Sequence, residues 1–277
     1  MQIGNGIPII GFFNDINWEN GPYFVSISVN NKKLLTSKIL NAPKKGTIEK
    51  DDLAKLKSDV KRLERTLILE GIYKLDDIDG NQYKIVSIGR QIWMAENLKT
   101  THYANGEPIP FVVENKFWAN LDTDAYSSYN SIEGNANIYG RLYKFFTVID
   151  KRNVCPLGWH VPNDEEWSVL ENFLGGVSVA GGKLKEMGTS HWTSPNEGTP
   201  KVLGLAIGKG NGFNGLPGGY RYYDGVCFSM GNAGYWWTST EDDTANAWGR
   251  FLNYNNASLG RNYYDKSDGF SVRCVMD

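Results

Sequence analysis

The sequence predicts an α+β protein in which a C-terminal domain of short strands and two helices, residues 71–277, follows a short helical stalk and a small N-terminal β segment. Three observations support this prediction. Apolar side chains alternate along residues 23–30, as in a strand with one buried face. Leucines and one valine recur every three or four residues between 53 and 67. The remaining chain is rich in aromatic residues and glycine, with nine Trp and 31 Gly in all 277 residues, which is typical of short strands joined by tight turns.

The N-terminal β segment, residues 1–45, is predicted to contain one hairpin. A strand over 23–30 is followed by a turn at Asn30-Asn31-Lys32 and a return strand over 33–40. Two strands are too few to be stable alone. We therefore expect the hairpin to pack on another element or to end a longer β domain.

The stalk, residues 46–70, carries the seam of a coiled coil, with Lys, Asp and Glu at most of the other positions. The predicted oligomerisation residues are Leu53, Leu56, Val60, Leu63 and Leu67. The alternative is an amphipathic helix packed on its own domain. Leucine dominates the seam, and Asp59 would face Glu64 of a neighbour in a parallel dimer, so we predict a homotrimer.

Two helices are predicted within residues 71–277. Asn163 and Glu166 have the spacing of a capping box at the start of the first. Its apolar face consists of Trp167, Leu170, Phe173 and Leu174, and Gly175-Gly176 ends it. The second helix is predicted over 182–187. Strands are predicted over 73–75, 82–88, 234–239, 247–254, 258–263 and 270–275, with long loops between 189 and 234.

The segment Asp77-Ile78-Asp79-Gly80-Asn81 predicts a turn between two of these strands. It also resembles the start of a calcium loop, but the distant bidentate Glu of such loops is missing. We predict a hairpin turn, with calcium binding as the alternative, and no other cofactor.

The sequence contains no recognisable catalytic or metal-binding motif. His102, His160 and His191 lie in different motifs without the spacing of a zinc site. The net charge of −2 does not indicate nucleic-acid binding. No apolar run is long enough to cross a membrane, and residues 1–6 do not form a signal peptide. We therefore predict a protein that is not an enzyme and has no nucleic-acid partner or membrane insertion.

Six short motifs follow one another in the C-terminal domain. They are Trp93-Met94-Ala95-Glu96-Asn97-Leu98, Tyr139-Gly140-Arg141-Leu142-Tyr143, Cys155-Pro156-Leu157-Gly158-Trp159-His160-Val161-Pro162, Leu216-Pro217-Gly218-Gly219-Tyr220-Arg221, Tyr235-Trp236-Trp237-Thr238-Ser239-Thr240 and Phe270-Ser271-Val272-Arg273-Cys274-Val275. In this order they resemble the Fibrobacter succinogenes major paralogous domain over roughly residues 76–277. The resemblance implies a C-type-lectin-like fold in a secreted or surface protein of Bacteroidetes or Fibrobacteres, and it names no ligand. Residues 16–24 are similar to β modules that precede such domains.

The resemblance also implies a disulfide between Cys155 and Cys274, with Cys227 left free. In the lectin-like fold the last strand returns beside the half that bears the helices, and a cysteine pair commonly ties the two together. Such a bond presupposes an oxidising compartment. The residues alone leave three buried thiols open as the alternative.

The candidate ligand-binding residues lie mainly between the last strands, in a run rich in Tyr and Asn. These residue types give rigid contact area and adaptable hydrogen bonds. The predicted residues are Trp248, Asn253, Tyr254, Asn255, Arg261, Asn262, Tyr263 and Tyr264, with Tyr222 and Tyr223 from an earlier loop. Trp236-Trp237 is a further candidate, because one of two successive strand residues points away from the core.

From these features we predict an extracellular recognition protein at a cell surface or at the tip of a bacterial or phage fibre. Its heads would bind a glycan or a cell-surface protein receptor, and a trimer would raise the avidity. One alternative is a structural domain that caps or trimerises a fibre without a ligand. The other is an enzyme that acts on polysaccharide, with scattered carboxylates as its acid and base.

Overall fold

A computed structural model describes residues 75–199 and 212–277, together with the strands β1 (Tyr23–Val29) and β2 (Lys32–Ile39). The chain divides into two compact units, residues 1–73 and 74–277. In the first unit β1 and β2 pair antiparallel with a register shift between Ile27 and Ser28, so the predicted hairpin is confirmed. The predicted stalk seam lies outside the described residues: Leu53, Leu56, Val60, Leu63 and Leu67.

The second unit contains helices and sheets and is mostly β. Its strands are β3 (Leu75–Asp76), β4 (Gln82–Tyr83), β5 (Ile85–Ile88), β6 (Gln91–Met94), β7 (Tyr126–Ser127), β8 (Leu142–Lys144), β9 (Trp159–His160), β10 (Gly218–Arg221), β11 (Cys227–Met230), β12 (Ala233–Glu241), β13 (Asn246–Asn253), β14 (Gly260–Asp265), β15 (Gly269–Phe270) and β16 (Val275–Met276). The helices are α1 (Asn115–Ala119), α2 (Glu133–Tyr139), α3 (Phe145–Val148), α4 (Asp164–Phe173) and α5 (Val177–Leu184).

Two sheets organise this unit. The larger has the strand order β14-β13-β12-β10-β15-β8-β7, with β11 paired to β10. The smaller has the order β5-β6-β16-β9, so the last strand lies between strands from much earlier in the chain. Most pairs are antiparallel, and β10 meets β12 in a short parallel pairing at Gly219 and Gly234. Such pairings between distant segments hold the short strands in place.

Helix α4 begins where the sequence predicts. Asn163 Oδ1 accepts a hydrogen bond from the Glu166 backbone N–H, and Glu166 Oε2 accepts one from the Asn163 N–H, which completes the capping box. Trp167, Leu170 and Leu174 are buried as predicted. Phe173 is 63% exposed, so its assignment to the apolar face is wrong.

The prediction of two helices is also wrong, because the described residues contain five. Three of them, α1, α2 and α3, have only four to seven residues, too few for a readable hydrophobic period. The predicted helix over 182–187 instead runs over Val177–Leu184. Gly181 and Gly182 have a low helix propensity and therefore favoured a loop at this place. A Cβ at Gly181 would lie 2.0 Å from Ser258 O, and a Cβ at Gly182 would lie 2.3 Å from Gly198 O. These glycines permit close packing of a helix against two loops.

Further corrections concern the strands. The hairpin of β10 and β11 occupies part of the stretch predicted as long loops. The predicted strand over 258–263 lies at Gly260–Asp265, and that over 270–275 is divided between β15 and β16. Trp236 and Trp237 are both fully buried, because the sheet is covered on both faces at this point: Trp236 contacts Phe213, and Trp237 stacks on Phe270.

The main core lies where α4 and α5 pack against the sheets. Trp93 lies at its centre, with its ring centroid 4.9 Å from that of Trp167 and 5.9 Å from that of Phe213. The buried members of this core are Ile88, Trp93, Trp167, Leu170, Leu174, Ala180, Leu184, Trp192, Phe213, Trp236, Leu252, Leu259 and Val275. Burial of so many large rings is the main stabilising contribution.

Cys155 and Cys274 form a disulfide, with their Cα atoms 6.0 Å apart, and Cys227 is free. This is the pairing that the family resemblance implies. The bond joins the segment before β9 to the segment before β16. It therefore connects the last strand to the chain that leads into α4.

His160 connects the C-terminal segment to the start of α4. Its Nδ1 lies 2.6 Å from Asp277 Oδ1, and its Nε2 lies 2.9 Å from Glu166 Oε1. The hydrogen bond to Glu166 raises the pKa of His160 against the effect of burial, and Asp277 adds to the rise. Burial alone would raise the pKa of Glu166, but hydrogen bonds from His160 and the Asn163 N–H hold it below its ordinary value.

This cluster predicts a pH-dependent stability. The pKa of His160 is raised in the folded state, so protonated His160 stabilises the fold. This contribution to the free energy of unfolding is complete below the unfolded-state pKa of 6.5 and is lost as the pH rises through the folded-state pKa. The pKa of Glu166 is lowered in the folded state, so ionised Glu166 also stabilises the fold. Its contribution to the free energy of unfolding is complete above the unfolded-state pKa of 4.5 and is lost as the pH falls through the folded-state pKa. We expect the urea midpoint of the wild type to exceed that of His160→Gln most at about pH 6 and to approach it as the pH rises through the folded-state pKa of His160. A difference that stayed constant or grew with pH would contradict this assignment.

Candidate functional site

Strands β12, β13 and β14 sort their side chains onto two faces of the large sheet. Directly paired residues of antiparallel strands share a face, and successive residues alternate. Trp248 pairs with Tyr263 on one face, and Ala247 pairs with Tyr264 on the other. The predicted Tyr- and Asn-rich run is therefore divided between two surfaces.

The face that bears Tyr264 carries a continuous set of aromatic rings, which we call the tyrosine face. It consists of Tyr220, Tyr222, Tyr223, Phe228, Tyr235, Phe251 and Tyr264. Tyr235 lies at its centre, with ring centroids 4.7 Å from Tyr220, 5.8 Å from Phe251 and 5.9 Å from Tyr264. Tyr222, Tyr223 and Phe228 are exposed, and the other four rings are partly exposed. Rings held against one another in this way form a rigid, amphipathic contact surface.

Two glycines make room for these rings. A Cβ at Gly260 would lie 2.2 Å from Cε1 of Phe251, and one at Gly249 would lie 2.9 Å from Cδ2 of Tyr264. Gly260 is the direct cross-strand partner of Phe251. The aromatic rings thus lie flat over bare backbone, which explains why glycine interrupts two otherwise regular strands.

A buried carboxyl group lies beneath the tyrosine face. Asp268 is 2% exposed, and its Oδ1 has no hydrogen-bond partner among the residues that the structure describes. Burial raises its pKa to about 8, and the negative charge of Asp265 acts in the same direction, while the Tyr223 N–H and Lys144 oppose the rise. At pH 7 this carboxyl is therefore mostly protonated, and the surface above it gains little negative charge from it.

The opposite face carries Trp248, Arg261 and Tyr263. The Arg261 guanidinium carbon lies 3.3 Å from the centroid of the Trp248 ring, and Arg261 also forms an ion pair with Asp164 at 3.0 Å. Tyr263 is 54% exposed and meets Trp248 edge to face. One side of the Trp248 ring is thus already covered by a protein cation, which leaves less of it free to stack on a ligand.

The remaining predicted residues lie at the end of β13. Tyr254 packs against the main core, and its carbonyl accepts a hydrogen bond from the Glu197 N–H at 2.7 Å. The Asn253 carbonyl accepts one from Lys185 Nζ at 2.9 Å, and Asn255 is exposed. The prediction thus brought together residues from three places. Asn262, Tyr264, Tyr222 and Tyr223 belong to the side that carries the tyrosine face, and Asn253, two residues after Phe251, lies at the end of that side.

Sequence reasoning missed Tyr220, Phe228, Tyr235 and Phe251. Tyr220 and Tyr235 stand inside motifs, where they resemble core residues, and Phe228 and Phe251 lie outside the six motifs. The one available signal was the aromatic-glycine alternation of residues 249–251 and 260–264. It becomes informative only when the strand register is known.

The predicted calcium-like turn forms the hairpin between β3 and β4. Asp77 Oδ1 accepts hydrogen bonds from the N–H groups of Asp79 and Asn81, and its Oδ2 accepts one from Tyr83 Oη at 2.6 Å. These contacts explain the turn without an ion. In residues 75–199 and 212–277, no group of three or more His, Cys, Asp or Glu side chains is arranged to hold a metal ion.

The three histidines each contact a different carboxylate. His102 lies 2.5 Å from Asp79, and His191 lies 2.9 Å from Glu186, while His160 lies between Glu166 and Asp277.

Among the helices of the described segments, none has the length and apolarity needed to span a membrane.

Comparison with known proteins gives one match. The family model described as Fibrobacter succinogenes major domain (Fib_succ_major) matches residues 86–276, well over half of the chain. The matched range contains the whole tyrosine face, Asp268 and the disulfide. Neither a curated protein nor a solved structure matches the chain at a significant level.

Proposed function

The chain belongs to the Fibrobacter succinogenes major domain family, and we propose that it is a non-enzymatic recognition protein whose C-terminal domain binds a glycan. The observation that carries the proposal is the tyrosine face. Its exposed rings are Tyr222, Tyr223 and Phe228, and Tyr235 holds the neighbouring rings in contact. Sugars present C–H groups on the faces of their rings, and these pack well against aromatic rings while the hydroxyl groups remain at the edge.

The polar groups around the tyrosine face suit an uncharged ligand. Asn262 hydrogen-bonds to Tyr264, Ser229 to Tyr235, and Tyr222 to Tyr223, so several of the phenol groups have a polar neighbour. The carboxyl of Asp268 is mostly neutral at pH 7 for the reason given above. A neutral saccharide would therefore meet hydroxyl and amide groups beside the aromatic rings.

The fold and the setting are part of the same proposal. We assign the second unit to the C-type-lectin-like architecture, because α4 and α5 pack against sheets and a cysteine pair ties the last strand to the half with the helices. The same disulfide favours an extracellular location, since such bonds persist in oxidising compartments. A cell surface or a fibre tip would present the tyrosine face to its ligand.

The stalk leads us to propose a homotrimer. If the seam drives assembly, Val60→Asp should convert the trimer into a monomer, because a carboxylate cannot be buried at a seam position without a partner. Multi-angle light scattering on the full chain at micromolar concentration would measure this. Lys61→Asp, one residue outside the seam, serves as the control and should remain trimeric. A monomeric wild type would overturn the proposal.

A glycan array tests the proposed function directly. The full chain should bind at least one neutral glycan, and the double variant Tyr222→Ser/Tyr223→Ser should bind it at least tenfold more weakly, because exposed aromatic anchors carry much of the energy at such surfaces. Both residues are exposed, so unfolding by urea should change little. The array is read with calcium and with a chelator, which tests the calcium alternative.

Tyr263→Ser is the matched control. It removes an even more exposed phenol from the opposite face and should leave binding unchanged. Loss of binding in Tyr263→Ser but not in the double variant would move the site to the face of Trp248. A wild type that bound no glycan on the array would overturn the proposal for this ligand class.

A further inference from the structure

A small cavity lies apart from the rings of the tyrosine face, where the turn between β3 and β4, the segment after β6 and helix α2 meet. Its volume is about 230 Å³, somewhat below the roughly 300–1,000 Å³ of sites for drug-sized ligands. Its polar lining consists of Asp79, Asn81, Lys99, Thr101, Asn137 and Arg141. The size and polarity suit one small polar group.

The carboxylate in this cavity is already engaged by the protein. Asp79 Oδ2 accepts hydrogen bonds from the Thr101 N–H at 2.5 Å, the Thr101 hydroxyl at 2.9 Å and the Thr100 hydroxyl at 3.0 Å. Its Oδ1 lies 2.5 Å from His102 Nδ1. Burial alone would raise the Asp79 pKa, but these donors hold it below its ordinary value. A carboxylate has about four acceptor positions, so Asp79 has little capacity left for a ligand.

Donors in the cavity, in contrast, remain available. Lys99 forms hydrogen bonds through its backbone, to Tyr83 Oη and Arg141 Nε. Within the described part of the chain, its ammonium group has no hydrogen bond or ion pair, and the side-chain amide of Asn137 has no hydrogen bond. The guanidinium group of Arg141 donates hydrogen bonds to the Glu133 carboxylate, with Nη2 2.5 Å from Oε1. The second hydrogen of Nη2 has no acceptor among the described residues and is available to a ligand.

We infer that this cavity, the Lys99 pocket, binds the carboxylate group of an acidic sugar. The Lys99 ammonium would form an ion pair with that group, and the Asn137 amide would add a neutral hydrogen bond. Glu133 is paired with Arg141 and its side chain is 59% exposed, so it opposes an anion only weakly. Asp79 keeps its negative charge, but its acceptor positions are occupied by four donors of the protein, so the Lys99 ammonium remains available to a ligand. The inference rests on the proposed glycan binding and adds a second, charge-selective contact to it.

Titration followed by ligand-detected NMR tests the inference on the full chain. The probes are glucuronate, glucose and inorganic sulfate, each up to about 20 mM, which nearly saturates a site with a Kd of 1 mM. We expect glucuronate to bind more tightly than glucose and its affinity to fall as NaCl is added, because salt screens a partly exposed ion pair. Lys99→Met should weaken glucuronate binding about tenfold or more, and Lys99→Arg should retain most of it.

Lys84→Met is the control, because Lys84 is exposed and is not part of the lining. Glucose bound as tightly as glucuronate, unchanged binding in Lys99→Met, or no binding of glucuronate at 20 mM would each overturn the inference. Sulfate binding without glucuronate binding would also overturn it, since the pocket would then hold only a free anion.

The outcomes separate this inference from the proposed function. Neutral glycans that bind through Tyr222 and Tyr223 while Lys99→Met has no effect on glucuronate would leave the function standing and remove the pocket. Glucuronate that binds through Lys99, with no glycan affected by Tyr222→Ser/Tyr223→Ser, would keep the pocket and remove the tyrosine face.

Discussion

Asn97→Ala is expected to lower the free energy of unfolding by about 3–5 kcal/mol, the largest effect of any single substitution considered for this protein. Asn97 is buried, and its Oδ1 accepts hydrogen bonds from Arg273 Nη2 at 2.7 Å, Arg273 Nε at 3.1 Å and Trp236 Nε1 at 2.8 Å. Its Nδ2 donates to the Tyr139 carbonyl and to Ser271 Oγ. Alanine would leave a buried guanidinium and an indole N–H without their acceptor.

The charge of Arg273 makes this loss large. The side chain is fully buried, and burial lowers its pKa to about 9, so it remains charged at pH 7 and depends on its hydrogen bonds to Asn97 and to the carbonyl of Phe213. Urea unfolding measures the effect, with Asn137→Ala as a control that should stay within about 0.5 kcal/mol of the wild type. A double-mutant cycle with Arg273→Met should show strong coupling. A loss below about 1 kcal/mol in Asn97→Ala would contradict the prediction.

Cys155→Ser/Cys274→Ser is expected to lower the free energy of unfolding by about 4–5 kcal/mol in the chain-entropy model. The two cysteines are 119 residues apart in sequence, so the bond excludes many open conformations of the unfolded chain. A reducing agent should lower the urea midpoint of the wild type and leave that of the double variant unchanged.

Cys227→Ser is the matched control for the disulfide. Cys227 is free and half-buried, and its serine variant should keep the sensitivity of the wild type to reducing agent. Thiol titration of the unfolded, oxidised wild type should find one free thiol. Three free thiols would show that the bond does not form.

Local signals in the sequence predicted the start of α4 correctly. The capping box needs only Asn163 and Glu166, three residues apart, and no distant part of the chain changes its geometry. Helix α5 was misplaced, because Gly181 and Gly182 are set by contacts with Gly198 and Ser258. Helix propensity is a property of single residues and contains no information about a contact with a loop that lies far away in sequence.

The family motifs predicted more of the core than of the candidate ligand site. Asn97 connects four of the six motifs through its contacts with Tyr139, Trp236, Ser271 and Arg273. These motifs therefore encode a buried hydrogen-bond network. The resemblance could indicate the family for that reason, and it carried no information about a ligand.

The tyrosine face depends on strand register, which the sequence does not display. The run of Tyr and Asn in residues 253–264 reads as one surface, but pairing with β13 places Tyr263 and Tyr264 on opposite sides. A shift of one residue would exchange the two faces. Only pairing between distant strands decides which tyrosines become neighbours.

The disulfide closes residues 155–274 into a covalent ring. Every residue of the tyrosine face belongs to this ring, as do α4 and α5. A protease that cuts one peptide bond between Cys155 and Cys274 opens the ring without dividing the molecule, since the two pieces remain joined through sulfur. The tyrosine face and the helices α4 and α5 thus stay in one molecule after a first cut. Two cuts, or one cut followed by reduction of the disulfide, are needed before any of these elements is released.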